Sequence, residues 1–234
     1  MGTVGSAEQG ERARRRLVVN FHGIGEPPAG VPVDERRYWC PERDWPAIAD
    51  VLAEAARDGV GVEVTFDDGN ASDVEVALPA LLERRLTAIF HVCAGRLGQR
   101  GYLDRDSLLQ LRDAGMGIGS HGWNHVDLRT ASDEELSHET RDSRQSIADA
   151  CGTPVTDFAV PLGRYDRRVL RHLRDYQTVY TSDTTTATRG SWIVPRWSYV
   201  QGWTTESVSD LVRAEEPTRH RLRQRAAMVA KRWR

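Results

Sequence analysis

Lysine is almost absent from this 234-residue chain: of its 32 basic residues only Lys231 is not arginine, a skew we read as coding bias. Cysteine is nearly as scarce. Cys40, Cys93 and Cys151 are odd in number, far apart and without a C-x-x-C pair, which argues against a disulfide framework or a thiolate zinc site and predicts reduced thiols. Long apolar runs are missing too. Stretches such as Leu17–Phe21 are strand-sized, far short of the ~20 residues that cross a bilayer. No apolar secretory core follows the charged stretch Met1–Arg16, so the expected location is the cytoplasm. Neither sign of charge is in excess. The 32 basic and 34 acidic side chains leave a net charge of −2, which argues against a general nucleic-acid binder. Nothing resembling an internal repeat or a low-complexity linker divides the chain.

What is present is the composition of a globular domain, 39% hydrophobic and 28% charged, long enough to bury a core without staples. Residues 1–15 are expected to form a loose arm, 16–214 the folded body and 215–234 a basic C-terminal helix. Leu17–Phe21, Gly61–Phe66, Ala88–Cys93, Met116–Ser120, Thr156–Val160, Thr178–Thr181 and Trp192–Val194 read as strands. Helices are expected between them. One starts at an Asp44 cap, one covers Ser72–Leu86 with Pro79 as an awkward interior residue, and one covers Asp104–Ala114. A long one opens on the Ser132/Glu135 capping box and runs to Cys151, and another covers Asp166–Leu173. Helices near Glu206–Arg213 and Thr218–Trp233 end the chain. This alternation predicts an α/β fold with a parallel sheet, as a barrel or a doubly wound open sheet, and places ligands at the strand C-termini.

Chemistry-bearing residues collect at those strand ends. Thr65-Phe-Asp67-Asp68-Gly69 closes a strand with two carboxylates. Neighbouring strand residues point to opposite faces, so both can serve one site only if the strand breaks there, which Gly69 permits. Ser120-His121-Gly-Trp-Asn-His125 sets two imidazoles four residues apart after a short strand. Either segment alone has an ordinary reading, an acidic turn or two unrelated histidines. Together, one carboxylate and two histidines make a metal site with positions left open. Phe158-Ala-Val-Pro161-Leu162-Gly163 and Val194-Pro-Arg196-Trp197 are two further strand ends.

These motifs resemble, in order and spacing, those of the polysaccharide deacetylases (NodB-homology, carbohydrate esterase family 4), over about Val18 to Trp197. The resemblance implies a distorted (β/α)7 barrel in a single domain. It also implies one divalent metal ion, zinc first and Co, Ni, Mn or Fe as alternatives, held by Asp68, His121 and His125. Asp67 would be the general base, Pro161, Leu162 and Gly163 would form a substrate groove, and the backbone N–H after that turn, with the metal, would stabilise an oxyanion. Removal of an N-acetyl group from an N-acetylhexosamine-containing glycan follows as the expected activity.

The chain departs from the family pattern twice. Val160 stands where many members carry a base-orienting arginine, and Arg196 is our substitute for it. No C-terminal Leu-x-His motif supplies a general acid. Phe21-His22-Gly23 resembles the arrangement of members that carry the acid on an N-terminal strand, which nominates His22. Trp123, between the two metal histidines, is the tryptophan expected to stack on sugar, and His91 is expected to be a satisfied core or supporting residue. The basic C-terminal segment suggests weak contact with an anionic membrane surface. Alternatives are an O-acetyl sugar esterase on the same fold, a non-heme iron oxygenase built on the same ligand set, and a catalytically silent glycan-binding module.

Overall fold

β-branched and aromatic side chains give the longer strands an apolar face, and the computed structural model shows what those faces cover. It describes residues 15–28, 31–213 and 216–233. The expected N-terminal arm lies outside the described residues, apart from Arg15. The strands are β1 (Arg15–Phe21), β2 (Val62–Asp68), β3 (Ala88–Val92), β4 (Gly117–Ser120), β5 (Asp157–Ala159), β6 (Thr178–Thr181), β7 (Ala187–Thr188), β8 (Ile193–Pro195) and β9 (Trp197–Ser198). β1 to β6 pair in sequence order, all in parallel, and β8 extends the sheet beside β6. β9 pairs in parallel with β1. Since β8 and β9 are separated only by Arg196, this one stretch nearly closes the sheet into a barrel. The barrel expectation holds, and the open-sheet alternative falls away. The short β7, antiparallel to β1, was not legible in the sequence.

The helices are α1 (Trp45–Arg57), α2 (Leu78–Glu83), α3 (Arg105–Asp113), α4 (Asp133–Ser137), α5 (Ser143–Cys151), α6 (Arg167–His172), α7 (Thr205–Arg213) and α8 (Thr218–Trp233). Pro79 does lie inside a continuous helical run: a π turn at Asp73–Ala77 passes directly into α2, with Ala77 and Leu78 both helical, so the departure from α geometry falls in the turn just before the proline. The Ser132 capping box forms, with Ser132 Oγ accepting from Glu135 N at 3.2 Å and Glu135 Oε2 accepting from Ser132 N at 2.7 Å. The helix it opens is interrupted by a second π turn, His138–Asp142, joining α4 to α5. Asp44 makes no capping bond, and its own backbone is helical (φ −92°, ψ −25°) where a capping residue is extended.

The barrel wall sorts residues by parity. Leu17, Val19, Phe21, Val64, Phe66 and Phe90 belong to the main core, where Phe66 stacks on Phe90 at 4.8 Å and meets Trp45 of α1 edge-on at 5.6 Å. The alternate residues Val18, Ala159, Tyr180 and Val194 form a separate small cluster. Polar layers bound that cluster. On one side Arg16 and Tyr180 both bind Glu63, and on the other lie Asn20, Thr65, Asp67, His91 and Arg196, all buried. This second layer is the floor of the candidate site. Among the described residues no helix is long and apolar enough to cross a membrane. All three cysteines are free and buried.

Candidate active site

Asp67 ends β2 on the barrel's inner side, and Arg196 reaches it from the β8–β9 break. Arg196 Nη1 donates to Asp67 Oδ1 and Nη2 to Oδ2, both at 2.7 Å. The guanidinium is fully buried and also donates from Nη1 to Asn20 Oδ1 (2.9 Å) and Thr65 Oγ1 (3.1 Å). Asn20 in turn donates through Nδ2 to Asp67 Oδ2 at 3.1 Å. Burial, the largest single influence, acts to raise the Asp67 pKa, but the charge of Arg196, the His121 ring and the hydrogen bonds of His91 and Arg196 together outweigh it and hold the carboxyl well below its usual range. A two-pronged, desolvated clamp of this kind keeps a carboxylate ionised and fixed in direction.

Asp68 follows on the strand yet serves the same site. Its φ of 79° breaks the β geometry, and Gly69 continues the left-handed turn at φ 72°, where a Cβ would strike Val92. Asp68 Oδ1 lies 3.6 Å from His125 Nε2 and 4.0 Å from His121 Nε2. One ligand atom from each of Asp68, His121 and His125 lies within 4.8 Å of the others. A tetrahedral ion with N and O ligands at ~2.0–2.2 Å needs edges of ~3.4 Å, so small side-chain shifts complete the set. The tautomer also fits. His121 Nδ1–H donates to the Ala159 carbonyl at 2.8 Å, which leaves the Nε2 lone pair facing Asp68. Burial lowers the His121 pKa to about 3, so the ring is neutral, as a ligand requires. Cys93 Sγ lies 4.0 Å from Asp68 Oδ1, but burial pushes its thiol pKa well up and it donates to the His121 carbonyl. A protonated thiol is no ligand.

Two supporting residues carried no sequence signal. Arg96 Nη1 donates to Asp68 Oδ1 at 2.8 Å and lies over the Tyr102 ring. With His125, His121 and His22 it lowers the Asp68 pKa against the opposing effect of burial. Glu139, buried in the π turn between α4 and α5, accepts from Trp123 N at 2.6 Å and from Asn124 N at 3.1 Å. It thereby pins the loop that joins the two histidines. Gly122 is required there: its φ is 84°, and a Cβ would come within 2.7 Å of Glu139 Oε2.

Asp67, His121 and His125 open into a cleft of about 390 Å³ shared with His22, Tyr38 and Leu162. The His22 ring stacks on Tyr38 at 5.0 Å, and its buried Nδ1 has no hydrogen-bond partner. An adjoining lobe of about 300 Å³, also lined by His22 and His125, runs to Asp68, Arg96 and Tyr102. The Pro-Leu-Gly turn divides its residues. Leu162 lines the cleft at φ 59°, Pro161 is buried near Gly122, and Gly163 borders a neighbouring hollow. The amides after Leu162 are committed to the turn itself, Gly163 N to Val160 O and Arg164 N to Pro161 O, which corrects the expectation that they face an oxyanion.

Trp123 is a second correction. Its indole does not line the cleft but lies 4.3 Å from the His138 ring and against Gly95, half-buried against the main core. Of the two readings given for His91, the structure fits the supporting one: it is fully buried with Nδ1 3.2 Å from Asp67 Oδ1, although neither ring nitrogen has an aligned hydrogen bond.

Comparison with known proteins identifies the family and the fold. The chain is 25% identical over 130 residues to the Bacillus subtilis protein YxkH, whose name assigns it provisionally to the polysaccharide deacetylases; the match covers 55% of this chain and 47% of YxkH. It is 26% identical over 113 residues to the peptidoglycan-N-acetylglucosamine deacetylase PgdA of Listeria monocytogenes, covering 48% of this chain and 23% of PgdA. It thus spans less than half the length of these curated relatives. A crystal structure of a polysaccharide deacetylase from Bacillus cereus superposes with a TM-score of 0.75 at 18% identity, covering 86% of this chain and 69% of that one, which shows the shared fold. The family model described as polysaccharide deacetylase matches residues 42–181, from α1 through both acidic and histidine motifs to β6. On that match, which takes in more than half of the sequence, the chain belongs to the polysaccharide deacetylase family.

Proposed function

We propose that this chain is a divalent-metal-dependent deacetylase that removes the N-acetyl group from an N-acetylhexosamine-containing glycan or glycoconjugate. The observation that carries this reading is the adjacency of two differently equipped carboxylates. Asp68 joins two imidazoles in a metal-ligand set, while Asp67 is clamped by Arg196 and opens on the same cleft. Asp68, His121 and His125 would hold the ion, and their mixed N and O donors suit zinc first, with cobalt, nickel, manganese or iron as substitutes. When bound, such an ion supplies Lewis acidity toward a carbonyl oxygen and lowers the pKa of water.

The chain's own residues do the rest. Asp67 accepts the proton of the attacking water, and Arg196 with Asn20 keeps its carboxylate ionised and aimed. His22, across the cleft, protonates the departing amine. Leu162 and Tyr38 give the sugar apolar wall to rest on. The peptidoglycan deacetylase relative supports an acetylated glycan as the substrate class. The test is acetate release from acetylated chito-oligosaccharides by pure protein. Turnover that is lost on chelation, restored by zinc and lost in His121→Ala is the expected result. Turnover that survives both treatments overturns the reading, and exclusive cleavage of O-acetyl sugars transfers it to the esterase alternative.

A further inference from the structure

The C-terminal helix α8 presents two stripes of opposite character. His220, Gln224, Met228 and Lys231 recur at helical spacing and face the body of the protein. Met228 is buried, His220 Nε2–H donates to the Thr184 carbonyl at 2.6 Å, and Lys231 pairs with the buried Asp183. With this inner stripe pinned, the outer one is fixed in direction. It consists of Leu222, Ala226, Val229 and Trp233, also at intervals of four, three and four residues, and all four are exposed. Leu222 is 62% exposed, Val229 50% and Trp233 75%, which is unusual for side chains of this size on a helix whose other face is anchored.

The flanks of that stripe carry one sign of charge. Arg219 and Arg223 lie along one side, Arg225 and Arg232 along the other, all exposed, and α8 contains no acidic residue. A hollow of about 220 Å³ beside Val229 brings Arg225 and Arg232 together with the hydroxyl-bearing Thr188 and Ser191, a setting suited to a phosphate group. The helix also reaches the cleft. Lys231 shares a hollow with Leu162, Arg164 and Ser182, three residues that line the cleft as well. Leu162 and Val200, both on the cleft wall, are themselves among the exposed large apolar residues.

We propose that α8 is a docking helix for an anionic lipid surface, laying Leu222, Ala226, Val229 and Trp233 among the acyl chains while its arginines engage lipid phosphates. Charge complementarity selects an anionic partner, and the apolar stripe between the arginines selects lipid, since a nucleic acid would leave that stripe in water. Docking through α8 brings the cleft close to the bilayer, which suits a glycan carried on a lipid. That consequence rests on the deacetylase reading, whereas the docking itself does not.

Co-sedimentation of the full chain with vesicles tests the docking without any measurement of activity. Binding is expected to vesicles of phosphatidylglycerol and phosphatidylcholine in equal parts and not to phosphatidylcholine alone, and it should weaken as salt rises. Replacing Val229→Ser and Trp233→Ser together keeps every charge and should lower the partition coefficient about tenfold or more, as should Arg225→Gln with Arg232→Gln. Brominated phosphatidylglycerol should quench tryptophan fluorescence in the native chain and much less in Trp233→Phe, which supports the reading even if another variant folds poorly. Equal binding to both vesicle types, no binding, or undiminished binding by the serine variant overturns it. So does stripe-dependent dimerisation without vesicle binding, which would make a second copy of this chain the occupant.

Discussion

The Arg196 guanidinium and the Asp67 carboxylate meet as two parallel hydrogen bonds of 2.7 Å, both shut off from solvent, although 129 positions separate them in the chain. The pairing exists because the last strand breaks at Arg196 as it passes from β6 to β1. Barrel closure and the ionisation of the candidate base are therefore one structural event.

Arg196→Lys should separate these two roles. Lysine keeps a positive charge but loses the planar fork, so the Asp67 pKa should rise toward the ordinary ~3.9 or above it. The acidic limb of the kcat/KM profile is then expected to move to higher pH while the protein stays folded. Arg196→Met should do more, because an unpaired buried carboxylate costs about 3–5 kcal/mol. The sign follows from the depressed folded pKa: this stabilisation is complete above the unfolded value and is lost as pH falls through the folded one. Urea unfolding followed from pH 7 down into the acid range below ~3.9 reads it. An acidic limb that stays put in the lysine variant would show that Arg196 does not control Asp67.

The parts of this site that were legible in the sequence are those where chemistry interrupts a pattern. Asp67-Asp68-Gly69 ends an apolar strand with charge, and His121 directly follows the short strand Gly117–Ser120. The residues that were not legible act through backbone events without a sequence mark. Glu139 reaches Trp123 and Asn124 because a π turn rotates it off the helical register, and no 3.6-residue periodicity reports such a turn. Arg96 lies in a turn that nothing marks as adjacent to Asp68, and β7, two residues long, has no periodicity to detect.

Divalent metal should stabilise the protein as well as activate it. At 100 times its dissociation constant, an ion that binds only the folded state adds about 2.7 kcal/mol, and His121→Ala should abolish that gain. In the metal-free protein, stability should fall on acidification from ~6.5, because the unfolded chain protonates His121 there while the buried ring stays neutral to about 3. Thermal melts with and without zinc, across pH, check both statements. A zinc-induced rise in Tm that persists in His121→Ala places the ion elsewhere.

Glu139 should control metal affinity without touching the metal. Glu139→Ala strands the Trp123 and Asn124 amides and frees the loop between the two histidines, so affinity should drop about 10–100-fold. Glu139→Gln keeps a carbonyl acceptor and should recover much of that loss. Calorimetric titration with zinc separates this positioning role from general destabilisation when paired with metal-free melts. Unchanged zinc affinity in the alanine variant removes Glu139 from the site.

Asp73 offers a stability prediction of the opposite sign to Asp67. It is fully buried beneath the acidic motif, and neither carboxylate oxygen has a hydrogen-bond partner. Burial, reinforced by the charges of Asp68 and Asp67, raises its pKa well above the usual range, so the folded protein keeps this proton after the unfolded chain has released it. Folding then becomes less favourable as pH rises above ~3.9, by about 1.4 kcal/mol for each pH unit over which only the unfolded form is ionised. Asp73→Asn has the same shape and nothing to ionise. Its stability advantage over the native chain should be small near pH 4 and grow toward neutrality, as measured by urea unfolding at a series of pH values. An advantage independent of pH would mean that Asp73 is ionised in the folded protein and finds a compensating partner there.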